Sequence, residues 1–314
     1  MVAVGVERSE QPESSDARSD RGPGPGVDRA ARQERPPVLT DPEQRVTEHL
    51  RYRDSVVNHE AAHSWDAAVP ELQGIWEKIK SKYGYTERSV SVAQPTDGSW
   101  RGDGGRKLDS AQNAEVDRGY ARIREVGEHT IIPGLRAVEA EDPTRHLAGF
   151  DHRFKGLNRL KEKVADLLEP RSKLTATDAL YAVSDTVRCT YMYTETSYTR
   201  GVLHDVERLK SRGFELDKLK NTWTSDQYKG INTQWVDPAS EVRFEVQFHT
   251  RASLEAKELS HKAYERIRSI MEPTPKTDLE AGELEGFQSK VNAKVPIPPN
   301  VSVIEDYQRE KRDG

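Results

Sequence analysis

Glu241-Val-Arg-Phe-Glu-Val-Gln-Phe-His-Thr250 is the stretch on which the fold turns. Val242, Phe244, Val246 and Phe248 alternate with Arg243, Glu245, Gln247 and His249. Successive side chains of a strand point to opposite faces, so the alternation predicts a strand with one apolar and one polar face. The polar face carries a carboxylate, an amide and an imidazole at every second position. A face that only meets solvent more often carries Lys, Thr and Ser. A row of Glu, Gln and His suits a metal or nucleotide site, with a plain solvated face as the alternative.

Working outward, Asp237-Pro-Ala-Ser240 reads as a turn and Gly230–Val236 as a strand, so the two strands form an antiparallel hairpin. Upstream, Phe214–Thr222 reads as a strand and Thr199–Arg212 as a helix stopped by Gly213. Val187–Tyr193 is rich in β-branched and aromatic residues and Thr175–Val183 reads as a short helix. An amphipathic helix is expected from His152 to Leu168, and another from Ser253 to Met271. This order predicts an α/β (α+β) domain over 142–271, a mixed sheet flanked by helices. Residues 41–141 read as a mainly helical region that starts at the Asp41-Pro42 cap, with a loop-like stretch over 86–112. Residues 1–40, with Arg21-Gly-Pro-Gly-Pro-Gly26, are too polar to offset their ordering entropy and read as a disordered tail. The proline-bearing residues 272–314 read as a loosely packed extension.

Composition bounds the function. Of 314 residues, 32% are charged, yet the net charge is only −5, which gives no global electrostatic case for nucleic acid or membranes. Any anion site has to be a local basic cluster. The single cysteine, Cys189, excludes an internal disulfide framework. With no membrane-length apolar run and no secretory core near the N-terminus, a cytoplasmic protein is expected, with export by a signal-independent route left open.

Two constellations carry candidate chemistry. His59-Glu-Ala-Ala-His63 matches the spacing that places two zinc-ligating imidazoles one helical turn apart, with Glu60 as base and Asp66 or Glu71 as a third ligand. That gives a metallopeptidase reading, against a charged helix surface. The second constellation spans 150–265. Arg153, Lys155 and Lys163 form a basic cluster suited to a polyphosphate. Asp185 precedes the strand 187–193 and, with Glu245, can hold Mg²⁺ against phosphates. Tyr228 leads Tyr-Lys-Gly-Ile-Asn232, where an aromatic can stack a base and Gly230 admits a ligand to the backbone. Each has a bland alternative: a solvated face, a helix cap, a packed tyrosine.

Taken together, Arg153-x-Lys155 with Lys163, Asp185, Tyr228-Lys-Gly-Ile-Asn232 and Glu245-Val-Gln247 resemble the synthetase domain of RelA/SpoT homologues over roughly 145–268. The likeness is closest to the divergent toxin-type members, which similarly carry Tyr-x-Gly-x-Asn, Glu-x-Gln-Phe-His-Thr and His-x-x-Tyr-Glu, here His261-Lys-Ala-Tyr264-Glu265. The resemblance implies a nucleotidyltransferase-like fold and a pyrophosphokinase moving pyrophosphate from ATP to a 3′-hydroxyl. It implies ATP phosphates on Arg153, Lys155 and Lys163, and Mg²⁺ on Asp185 and Glu245. Glu245 would also activate the acceptor hydroxyl and Gln247 position it, with the acceptor base on Tyr228. Asn232 and His249 fall in the acceptor region. The chain departs from the usual Asp-x-x-Gly-x-Arg, with Asp185-Thr-Val-Arg188, and from Ile-Arg-Thr, with Phe248-His249-Thr250. GDP or GTP, an adenine nucleotide and a tRNA end are therefore all open as acceptors, as is a non-catalytic nucleotide-binding module. A toxin role would imply a cognate antitoxin or immunity protein.

Overall fold

The structure is a computed structural model describing residues 42–85, 92–168, 173–270 and 274–310. The expected tail lies outside them. The chain divides into two units, Met1–Thr47 and Glu48–Gly314; the first turns of α1 fall in the first, and all the other elements described below in the second.

Its elements run α1 (Pro42–Tyr83), β1 (Trp100–Arg101), β2 (Lys107–Leu108), α2 (Ser110–Val126), α3 (Ile132–Glu139), β3 (Arg145–Ala148), α4 (Leu157–Leu167) and α5 (Ala176–Ala182). Then follow β4 (Val187–Tyr193), α6 (Glu195–Ser211), β5 (Glu215–Asn221), β6 (Ile231–Val236), β7 (Arg243–Thr250), α7 (Arg251–Ser269), α8 (Pro275–Ala293) and β8 (Tyr307–Gln308). Six strands make one mixed sheet in the order β3-β4-β7-β6-β5-β8. Among the described residues, only β4 and β7 pair in parallel. The hairpin of β6 and β7 is antiparallel, as the alternation predicted.

The apolar row of β7 does what its pattern requires. Phe244, Val246 and Phe248 are fully buried beside Val187 and Tyr191 of β4 and Ile231 and Trp235 of β6. Tyr198, Val202 and Leu209 of α6 belong to the same core. Burying each large apolar side chain contributes about 1.5–3 kcal/mol, so this face anchors the sheet. The other face keeps the polar row, and α7 starts on it without a loop: Thr250 ends β7 and caps α7, accepting from the Ser253 amide.

A buried ionic knot ties β3 and β4 to α6. Arg145 and Asp205, both with fully buried side chains, pair at 2.6 Å. Tyr193 donates to Asp205 at 2.6 Å and Arg208 pairs with it at 2.8 Å. The four-residue strand β3 escapes sequence reading because its inward residue is this arginine.

Three expectations change. The helix expected from His152 begins only at Leu157, because Phe154 bridges to Val187 and the Lys155 amide donates to Thr186 O at 3.0 Å. The loop-like stretch 86–112 includes the small β1–β2 pair and the start of α2. The C-terminal extension is well packed rather than loose: Leu284, Phe287 and Val291 of α8 are buried, Phe287 stacks on Trp76 at 5.4 Å, and β8 pairs with β5. Thr274 and Pro275 give α8 its cap and first turn, and Arg266 of α7 pairs with the buried Glu280.

Replacing Asp205 by Asn leaves Arg145 buried without its main counter-charge. Urea unfolding should show a loss of about 3–5 kcal/mol. A loss below about 1 kcal/mol would mean that the knot does not hold β3 in place.

Candidate functional site

Register brings the polar face together. In β4, β7 and β6 one row is Arg188–Glu245–Gln234, and the next is Thr190–Gln247–Asn232. Asp185 stands just before β4, on the approach to the Arg188–Glu245 row. The face is thus ordered along the strands, from Asp185 through Glu245 and Gln247 to His249.

Asp185 is the centre of a charged cluster. Lys163, on α4, donates to both of its oxygens at 2.9 and 2.8 Å, and Lys155 pairs with it at 2.9 Å. Burial acts to raise the Asp185 carboxyl, but the two lysines win and hold it below its usual range. Burial lowers Lys155 despite its partner. The segment bearing Lys155 is fixed by Tyr120 of α2, whose hydroxyl donates to Lys155 O at 2.7 Å. Arg153 does not join the two lysines on Asp185. Its guanidinium pairs with Glu128 at 2.8 Å and lies over Phe150, 4.6 Å from the ring centroid.

Glu245 sits in the middle of the face. Burial pushes its carboxyl above the usual range, Arg188 and Lys257 pull it back, and Asp185 pushes it up further. Gln247 donates its amide to Glu245, and Lys257 of α7 donates to the Gln247 carbonyl at 2.6 Å. Burial, then the charge of Arg188, lowers Lys257 to about 8. Neither Arg188 nor Lys257 stands out in the sequence as a site residue. Arg188 was readable in principle: two residues before Thr190, it keeps the same strand face. Lys257 looks like a solvated helix lysine until α7 is seen to leave β7 directly.

The acceptor-side residues form one hydrogen-bonded unit. Tyr228 Oη donates to Asn232 Oδ1 at 2.9 Å and lies 2.8 Å from His249 Nε2. His249 Nδ1 lies 2.8 Å from Ser253 Oγ, which accepts from the Thr250 amide. One proton assignment satisfies every member: His249 carries its proton on Nε2 and gives it to Tyr228, and Ser253 donates to Nδ1. Gly230 is required here, because a Cβ would come within 2.8 Å of His249 Cε1. His249 is fully buried, so its reach to any ligand passes through Tyr228. Tyr228 is half-buried, with its ring edge against the imidazole and its hydroxyl engaged in this unit. His261 and Glu265 are exposed on α7, 3.5 Å apart.

His59 and His63 lie one turn apart on α1, as expected, but are exposed, with ring centroids 6.4 Å apart. Asp66 pairs instead with Arg251 at 2.6 Å, and no group of three potential metal ligands occurs among the described residues. The structure therefore gives the peptidase reading no third ligand. No helix among the described residues is long and apolar enough to cross a membrane.

No family model matches the chain, and no curated protein matches it. Among solved structures, it is similar to the small alarmone synthetase 1 of Bacillus subtilis bound to its product pppGpp. The identity is 16% and the TM-score 0.39, covering 58% of this chain and 94% of that one. The same enzyme bound to AMPCPP gives 16% and 0.36, covering 58% and 94%. A GTP pyrophosphokinase family protein from Streptococcus pneumoniae gives 18% and 0.38, covering 60% and 92%.

Burial, then the Lys257 and Arg188 charges, holds His249 well below the usual imidazole range. A histidine that titrates more easily unfolded than folded makes stability fall as pH drops below about 6.5. The His249 ring resonances should stay in the neutral position from pH 8 to 5.5 by NMR. Titration near pH 6.5 would show that the imidazole reaches solvent.

Proposed function

We propose that this protein transfers pyrophosphate from ATP to the 3′-hydroxyl of a nucleotide or RNA-end acceptor. The observation that carries the reading is the pairing of two carboxylates of opposite character on one sheet face. Asp185 is held ionised by Lys155 and Lys163, while Glu245 is buried and raised. Environments that push two carboxylates apart assign them different roles. The resemblance of the sequence to RelA/SpoT synthetases points to the same chemistry.

The residues present fit a magnesium ion. Two carboxylates that act on each other electrostatically, beside lysines able to move onto phosphates, are the donor set Mg²⁺ takes with a nucleotide. When bound, Mg²⁺ would neutralise charge developing on the transferred phosphates. Lys155 and Lys163, released from Asp185, bind the ATP phosphates. Arg153 sits beside this segment on Glu128 and adds a planar donor to the same polyphosphate.

Glu245 accepts the proton of the acceptor hydroxyl, and burial makes it a stronger base than a solvated glutamate. Gln247, oriented by Lys257, holds that hydroxyl toward Glu245. The acceptor oxygen forms a bond to the β-phosphorus of ATP, and the bond from that phosphorus to the α,β-bridging oxygen breaks. AMP leaves with the electron pair. Tyr228, set by His249 and Asn232, lines the acceptor end as a stacking surface for its base. His249 is a positioning residue in this scheme.

The Tyr228–Gly230–Asn232–His249 unit is the part shared with the toxin-type branch, and we extend the reading to a toxin with a cognate antitoxin on that basis. ATP labelled in the γ-phosphate should pass its label to an acceptor with a free 3′-hydroxyl and not to its 3′-deoxy analogue. Glu245→Gln should lower that transfer about 10²–10⁴-fold, the range for loss of a general base. Labelling that is unchanged by Glu245→Gln, or ATP binding with no transfer to any nucleotide or RNA end, would overturn the reading.

A further inference from the structure

His59 and His63 have no part in the transfer reading. The chain holds nine histidines, and these two alone stand one helical turn apart. Side chains four residues apart share a helix face. Both imidazoles are exposed on α1, with ring planes 14° from parallel and centroids 6.4 Å apart. Apart from each other, neither has a hydrogen bond or ion pair among the described residues. Two side-by-side imidazoles with free ring nitrogens are a ready pair of metal ligands.

The turn that carries them is held at both ends. Asn58, just before His59, exchanges two hydrogen bonds with Thr196 of α6, at 3.0 and 3.1 Å. Trp65, two residues after His63, is fully buried and donates to Glu255 of α7 at 2.7 Å. Asp66 pairs with Arg251 of α7 at 2.6 Å. The backbone is already fixed, so gathering both imidazoles on one ion costs only side-chain freedom. The local charge favours a cation: from Asp54 to Trp76, α1 carries no lysine or arginine, and Glu60 is exposed between the histidines.

The donors also set the class of ion. Imidazole nitrogens suit Zn²⁺, Ni²⁺ and Cu²⁺, whereas Mg²⁺ takes oxygen ligands. No third protein ligand gathers here among the described residues, so the shell stays open to water, unlike a closed structural zinc site. Only the helix brings the two nitrogens together, so an ion held by both favours the folded turn.

We propose that His59 and His63 chelate a divalent transition-metal ion on the exposed face of α1, and that the ion fastens the turn joining α1 to α6 and α7. The site uses none of the residues assigned to pyrophosphate transfer and does not rest on that reading.

The test is calorimetric titration of Zn²⁺ into the full chain, with Mg²⁺ in excess. Wild type should bind zinc at a site that His59→Gln and His63→Gln each weaken by at least about tenfold, because each leaves a single imidazole. His49→Gln, which removes a lone exposed histidine of the same helix, should bind like wild type. Cu²⁺ should follow the same pattern with higher affinity. Hydrogen exchange reads the fastening: zinc should further protect the amides of residues 57–67 in wild type and not in His63→Gln. All variants should unfold at the wild-type urea concentration in the presence of a chelator. Zinc affinity unchanged in both His59→Gln and His63→Gln, or lowered as much by His49→Gln, would overturn the site. Bound zinc that leaves exchange over 57–67 unaltered would overturn the fastening. Should a glutamine variant fail to fold, broadening of ring resonances by Cu²⁺ in the wild-type protein decides instead: the His59 and His63 rings should broaden first, and broadening that spares them would overturn the proposal.

Discussion

A carboxylate buried on a sheet face must be compensated, and Glu245 is compensated without being neutralised. No cation forms an ion pair with it among the described residues; Arg188 and Lys257 act on it through space, and Gln247 gives it one hydrogen bond. The rest of the site follows from that constraint. The parallel register of β4 and β7 brings Arg188 level with Glu245, and the antiparallel register of β6 adds Gln234 and Asn232. Direct passage from β7 into α7 carries Lys257 back over Gln247. A glutamate salt-bridged to lysine would be a poor base, and one with no cation nearby would take up a proton. The intermediate state is the one proton abstraction needs.

Asp185 shows the complementary device. Two lysines saturate it, which keeps a half-buried carboxylate ionised and parks the lysines near where a polyphosphate is expected. On the pyrophosphate-transfer reading, these lysines exchange Asp185 for the phosphates of the nucleotide.

Much of this was legible in the sequence, because β7 and β6 carry period-2 alternation and the hairpin between them has an unambiguous turn. The polar row followed from parity alone. What parity cannot give is the neighbour across the sheet. Nothing local announces that β4 runs parallel to β7, so Arg188 could not be placed beside Glu245. The basic cluster was expected on a single helix, whereas Lys155 lies in the extended segment before α4, and Arg153 turns to Glu128. α8 was hidden because Gly282, Gly286 and its many charged residues obscure the Leu284–Phe287–Val291 stripe, which only the packing partners reveal. His249 looked like a ligand-facing group from its strand face. Its burial comes from Ser253 and Tyr228, two residues brought to it by the helix start and by the loop before β6.

Pyrophosphate transfer, as proposed, requires attack at the β-phosphorus of ATP. That is read most directly by identifying the nucleotide left behind when ATP, Mg²⁺ and acceptor are incubated with the protein and resolved by ion-exchange chromatography. AMP formed in equal amount to the modified acceptor is the predicted result. ADP as the accompanying product would mean attack at the γ-phosphorus and would contradict pyrophosphate transfer.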